Sequence, residues 1–121
     1  MKFLLDANFL VYAAKQKVDL LVELSRFGKP ELHTLNAVVE EVEGLAKGKG
    51  EDGAAARVAL DFVGRKVKVI SAEPSRETDE MLLEHANAYV ICTNDRALRD
   101  QVKWAGGKVV CVRQKRLLMM L

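Results

Sequence analysis

Short, wholly apolar or β-branched runs alternate along this chain with stretches whose apolar residues recur every three to four positions. Phe3-Leu4-Leu5 and Tyr89-Val90-Ile91-Cys92 are the clearest runs of the first kind and read as buried strands. Glu31 to Thr34, Lys66 to Ile70 and Lys108 to Val112 read as further strands. Helical spacing is found from Phe9 to Ala14, from Val18 to Phe27, from Ala37 to Lys47 and from Ala54 to Val63. It returns from Glu77 to Ala86 and from Asp95 to Ala105. Gly28-Lys29-Pro30, Pro74 and Gly106-Gly107 are breakers between these segments. Thr34 or Asn36 is placed to cap the third helix, and Gly48 to Gly53 reads as a flexible polar loop. Strands alternating with helices imply right-handed crossovers, a mostly parallel sheet and helices on both faces. No repeat or linker divides the chain, so residues 1–121 are expected to form one domain.

Composition agrees with a water-soluble domain, at 50% hydrophobic and 30% charged residues. No apolar run approaches the roughly 18–20 residues that span a bilayer. The apolar start is interrupted by Asp6 and Asn8, which argues against a signal peptide. Cys92 and Cys111 sit inside apolar runs and read as reduced core residues of a cytoplasmic protein, with a bridge between neighbouring strands as the alternative. The net charge of +2 is small but uneven. Between Arg96 and Arg116 the cations are Arg96, Arg99, Lys103, Lys108, Arg113, Lys115 and Arg116, against the single acid Asp100. That is either a solvated helix face with a basic tail or a surface for a phosphate backbone.

The acids carry the candidate chemistry. Asp6 and Asp95 each follow an apolar strand, at the sheet edge where open α/β folds bind ligands. Helix capping explains either one taken alone. Most of the 17 acidic residues fall on polar faces. Glu41 instead lies on the stripe of Val38, Val42 and Leu45, and Asp79 extends the stripe of Leu82, Leu83 and Ala86. Four carboxylates brought together would repel one another, and a bound divalent cation removes that conflict. Oxygen-only ligands favour magnesium or manganese over zinc, and His33 and His85 are isolated residues that form no zinc site.

These residues resemble the PIN-domain ribonucleases over nearly the whole chain. The resemblance is carried by Leu4-Leu5-Asp6-Ala7-Asn8, by Val38-Val39-Glu40-Glu41-Val42 with Leu45, by Thr78-Asp79, and by Val90-Ile91-Cys92-Thr93-Asn94-Asp95 with Leu98. It selects Asp6, Glu41, Asp79 and Asp95 as catalytic and metal-binding residues. It implies a Rossmann-like three-layer α/β/α PIN fold and Mg2+- or Mn2+-dependent cleavage of RNA. In that scheme Asp6 and Asp95 hold the metal, while Glu41 and Asp79 complete the cage or hold its waters. Asp79 or Glu41 takes the proton of the attacking water. Asn8, with Thr93 or Asn94, hydrogen-bonds carboxylates, waters or phosphate from behind, with turn and capping chemistry as the plainer reading, and Arg96, Arg99, Arg113, Lys115 and Arg116 hold the RNA backbone. The compact chain and basic carboxyl-terminal part look more like a ribosomal-RNA-processing member than the toxin of a toxin–antitoxin pair. Partners implied are RNA, a second copy in a homodimer, and an antitoxin or a ribosome-assembly factor, with no membrane. The apolar ending Leu117-Leu118-Met119-Met120-Leu121 needs cover, from its own domain or from a partner. The competing readings are a non-catalytic RNA-binding scaffold of the same fold and an aspartate-nucleophile phosphotransferase or receiver-like domain using Asp6. The second is weakened because Asn8 stands where a further aspartate is usual.

Overall fold

A computed structural model describes residues 1–72 and 76–121. Pro74, the breaker expected before the fifth helical segment, lies outside the described residues. The elements are β1 (Lys2–Leu5), α1 (Ala7–Lys15), α2 (Leu20–Leu24) with a 3-10 turn Ser25–Phe27, β2 (Glu31–Leu35) and α3 (Asn36–Ala46). They continue with α4 (Gly50–Lys66), β3 (Lys68–Ile70), α5 (Thr78–Glu84), β4 (Val90–Cys92), α6 (Arg96–Trp104), β5 (Val109–Arg113) and β6 (Leu117–Met120).

The six strands form one sheet in the order β3-β2-β1-β4-β5-β6. All neighbours pair parallel except β5 and β6. The expected three-layer α/β architecture is therefore present. From β1 the chain first builds outward to β2 and β3, then crosses back to lay β4 on the other side of β1. Strand order thus reverses between β1 and β4, and the crevice at such a switch point is where open α/β sheets bind ligands.

Burial follows from this order. Phe3, Leu4 and Leu5 of β1 and Ile91 and Cys92 of β4 are fully buried on both sheet faces. Helices cover both sides of a parallel sheet, so its central strands are apolar without alternation. Phe9, Leu10 and Ala13 turn the inner side of α1 into the same core, and Val38 and Val42 do so for α3.

Several expectations are corrected. The polar stretch from Gly48 to Gly53 is not a loop throughout, because α4 starts at Gly50 and takes in Glu51, Asp52 and Gly53. Its first-turn acids Glu51 and Asp52 suit the positive end of the helix dipole. Neither Thr34 nor Asn36 caps α3. The buried Thr34 hydroxyl donates to the Leu5 carbonyl at 2.6 Å, and Asn36 Oδ1 accepts from the Ala72 amide at 2.9 Å. Long-range pairing has taken both side chains, so α3 begins without a side-chain cap. The segment from Val18 to Phe27 is a short helix plus a 3-10 turn, not one helix. Leu45 does not extend the buried stripe of α3, since it is 45% exposed.

Both cysteines are buried and free. Cys92 stands opposite Val110 in the parallel ladder, so Cys111, one residue on, faces the other side of the sheet. The apolar ending becomes the antiparallel edge strand β6, which buries Leu118. Leu117 and Met119 point the other way and stay partly exposed. No helix among the described residues is long and apolar enough to cross a membrane.

Candidate acidic site

Asp6 is the first residue after β1 and caps α1. Its Oδ1 accepts from the Ala7 amide at 2.8 Å. Its Oδ2 accepts from the Thr93 hydroxyl at 2.7 Å and from the Asn8 side-chain amide at 3.2 Å. A carboxylate has about four acceptor directions, and these bonds occupy three of them. Asp6 is thereby fixed in orientation with one direction to spare. It is 4% exposed, an unusual place for a carboxylate without a cation beside it.

Asp95 enters from the far side of the switch point. Its Oδ1 accepts from the Leu98 amide at 3.1 Å, so it does cap α6, as the simpler reading of this residue expects. Its other oxygen carries no hydrogen bond among the described residues. Capping and a role in the site are compatible, because one oxygen suffices for the cap. Thr93 ties the two acids together, since its hydroxyl serves Asp6 and also accepts from the Asp95 amide at 3.1 Å.

Glu41 comes from the second turn of α3 and Asp79 from the first turn of α5. Together Asp6, Asn8, Glu41, Thr78, Asp79 and Asp95, with Ala7 and Leu45, line one cavity of about 410 Å³. The sequence-selected acids thus meet, although they are spread over the length of the chain. Of the adjoining Glu40, Glu41 and Glu43, Glu41 is the one that lines the cavity. Leu45 and Thr78, which the sequence marked as motif residues but not as site residues, also line it. Leu45 looked like core because it continues the spacing of Val38 and Val42.

Asn8 and Thr93 hydrogen-bond the Asp6 carboxylate, whereas Asn94 makes no hydrogen bond to the acids among the described residues. Its side chain accepts from the Val112 amide at 2.9 Å, and its own amide donates to Asn8 Oδ1 at 3.0 Å. It therefore clamps β4 to β5 and steadies Asn8 through its backbone. The five expected RNA-binding cations also divide. Arg96, Arg99 and Arg113 line a separate cleft, together with Lys103. Arg116 instead donates to the Lys17 carbonyl at 3.1 Å and lines another cavity beside Asp19 and Glu23. Lys115 lies in the β5–β6 turn with a left-handed backbone (φ 69°) and lines neither. The turn between β5 and β6 sets Arg116 against the connection between α1 and α2, a contact that no local pattern announces.

The electrostatics are those of crowded acids. Burial pushes the Asp6 carboxyl up from its ordinary range, opposed by the Thr93 and Ala7 hydrogen bonds and reinforced by Asp79 and Asp95. Partial desolvation also raises Glu41, with added repulsion from Asp6 and Asp79, and it raises Asp79, with repulsion from Asp95. Glu41 and Asp79 stand at the exposed mouth, where water screens them, so Asp6 dominates. A carboxyl raised in the folded state holds its proton longer there than in the unfolded chain. Stability is then lost as pH rises from the ordinary carboxylate value through the raised one. Thermal melting in chelator should therefore show a higher midpoint at about pH 5 than at pH 7. A midpoint that stays level or rises from pH 5 to pH 7 would remove the case for crowding.

An all-oxygen donor set suits a hard divalent cation. Among the described residues, no three His, Cys, Asp or Glu side chains converge as a ready-made ion cage. The carboxylate oxygens present fit such an ion, and Asp6, with one acceptor direction to spare, and Asp95, with one oxygen outside its cap, are the groups that could hold it.

A mostly parallel α/β sheet with acids gathered at its switch point is the architecture of the site. The chain belongs to the PIN-like domain family, whose sequence profile matches residues 3–115. It is 30% identical over 123 aligned positions to ribonuclease VapC4 of Methanocaldococcus jannaschii, covering 95% of this chain and 92% of that protein. It is 32% identical over 104 positions to ribonuclease VapC9 of Archaeoglobus fulgidus, covering 84% of this chain and 75% of that one. Its fold is similar to that of the PIN domain endonuclease Utp24, with a TM-score of 0.81 at 20% identity over 98% of this chain and 90% of the other.

Proposed function

We propose that this protein is an endoribonuclease that hydrolyses RNA phosphodiester bonds in the acidic cavity with magnesium or manganese. The observation that carries the reading is the convergence of Asp6, Glu41, Asp79 and Asp95 on one cavity from separate elements. Membership of the PIN-like family and the ribonuclease names of both relatives support it independently.

Asp6 and Asp95 would hold the cation, with Glu41 and Asp79 placed for its water shell. When bound, such an ion offsets charge on the scissile phosphate and acidifies water for attack. The chain's own groups do the rest. Thr93 and Asn8 lock the Asp6 carboxylate so that it does not reorient when RNA arrives. Glu41 or Asp79, at the open mouth, accepts the proton of the attacking water. Arg96, the residue after Asp95, meets the phosphate backbone as it leaves the cavity.

The deciding experiment is cleavage of a labelled single-stranded RNA by the purified protein in manganese, in magnesium and in chelator. Metal-dependent cutting is expected. Its absence in both metals, with RNA still bound, would favour a scaffold of the same fold. A direct check of the ion is thermal: millimolar magnesium or manganese should raise the melting midpoint by mass action, and no shift with either ion would count against the site. As cellular role we infer ribosomal RNA maturation, on the Asp6-Ala7-Asn8 opening and the basic cleft of Arg96, Arg99, Lys103 and Arg113. Growth arrest on expressing the chain alone, relieved by a small partner protein, would make it a toxin instead.

A further inference from the structure

Trp104 is the single tryptophan of the chain and is 93% exposed. An indole is the largest apolar surface a residue can offer, and here the fold makes almost no use of it. It closes α6, whose inner face is held to the core by Leu98 and Val102. On the outer face Arg96, Arg99 and Lys103 follow at spacings of three and four residues, so they form one stripe. With Arg113 of β5 they line an open cleft of about 860 Å³ in which Asp100 is the one acid. None of these cations forms an ion pair among the described residues. Arg99 Nε is buried without a hydrogen-bond partner, while its Nη1 rests 3.4 Å from Cys111 Sγ.

The cleft and the acidic cavity meet at one helix end, since Asp95 lines the cavity and its neighbour Arg96 lines the cleft. From Asp95 to Trp104 the helix advances roughly 13 Å at about 1.5 Å per residue. Cations followed by an exposed aromatic ring match a chain of phosphates whose bases are free to stack. A duplex hides its base faces, so the match is to a single strand.

We propose that α6 is a rail for single-stranded RNA. The phosphates lie along Arg96, Arg99, Lys103 and Arg113, and a base stacks on Trp104. Lys103 and Trp104 are thereby substrate-binding residues. The choice of RNA rests on the nuclease reading above, but binding along the rail needs neither metal nor cleavage.

The test is a titration of the whole protein with a short oligouridine in chelator. The lone tryptophan makes its own fluorescence a reporter of this one place. Saturable quenching that weakens with salt is expected. By anisotropy of labelled oligouridine, Trp104→Ala should weaken binding by roughly tenfold and Trp104→Phe should restore most of it. Lys103→Gln should flatten the dependence of affinity on salt by about one phosphate contact. Because both side chains are exposed, these variants should fold, and an unchanged melting midpoint verifies it. Binding without quenching, or full affinity in Trp104→Ala, places the RNA elsewhere and overturns the proposal. Failure to bind oligouridine at all overturns it too. A Trp104→Ala protein that dissociates from dimer to monomer shows that a second copy covers this face, with the same consequence. Quenching by RNA in a protein that cuts nothing in any metal leaves the rail standing and removes the nuclease reading instead.

Discussion

Asp6→Asn and Asp95→Asn should each lower metal-dependent RNA cleavage by more than about a hundredfold while leaving the fold intact. Loss of a group that merely supports a metal ligand already costs roughly 10–100-fold, so loss of a ligand itself costs more. In Asp6→Asn the amide oxygen can still accept from the Ala7 amide, and the Thr93 hydroxyl can turn to accept from the new amino group. The substitution also removes a charge that burial and its neighbours disfavour. In chelator the variant should melt at the same temperature as the parent or higher. In magnesium the parent should gain stability and the variant should not. Asp95→Asn keeps the cap on α6, because the asparagine oxygen can accept from the Leu98 amide. Normal cleavage by either folded variant would mean that the cavity is not the active site. An inactive variant that melts well below the parent would mean that these acids hold the fold, not the chemistry.

Gly53→Ala should cost about 2–3 kcal/mol, lowering the melting midpoint by roughly 10 °C. Gly53 is buried in the first turns of α4, where the chain has just turned back from α3. A Cβ at this position would lie 2.1 Å from the Gly48 carbonyl oxygen and 2.7 Å from its carbon. Those atoms are backbone, so no rotamer can move out of the way, and the α3–α4 connection itself must shift. Gly64, also in α4, supplies the contrast, since a Cβ there meets nothing within 4 Å. Gly64→Ala should stabilise the protein by about 0.5–1 kcal/mol, because it relieves the helix of a glycine without a clash. Chemical denaturation of the two variants beside the parent checks both signs. If Gly53→Ala is as stable as the parent, the connection at Gly48 does not lie so close to α4.

The same stretch shows how local pattern and packing diverge. Gly48 to Gly53 has the composition of a loop, and read locally it is one. Only the close approach of Gly53 to Gly48 explains why glycine is needed inside a helix. Leu45 misleads in the opposite sense, because helical spacing assigned it to the core while the helix end that carries it stands at the cavity and leaves it exposed in the lining. Asn94 sits in a run otherwise devoted to the acids, yet its side chain serves a neighbouring strand.

The amino-acid sequence by itself determined the strand–helix alternation, the parallel sheet and the acids that stand out against their own apolar stripes. These are legible because periods of two and 3.6 residues and capping preferences are local, and a carboxylate on an apolar stripe breaks a local rule. Tertiary structure alone decided that Asp6, Glu41, Asp79 and Asp95 share one cavity, because that depends on the order of strands across the sheet. It also decided that Arg96, Arg99, Lys103 and Arg113 share a cleft while Arg116 does not. The contact of Arg116 with the Lys17 carbonyl joins residues 99 apart in the chain, and charge along a sequence carries no record of such a contact.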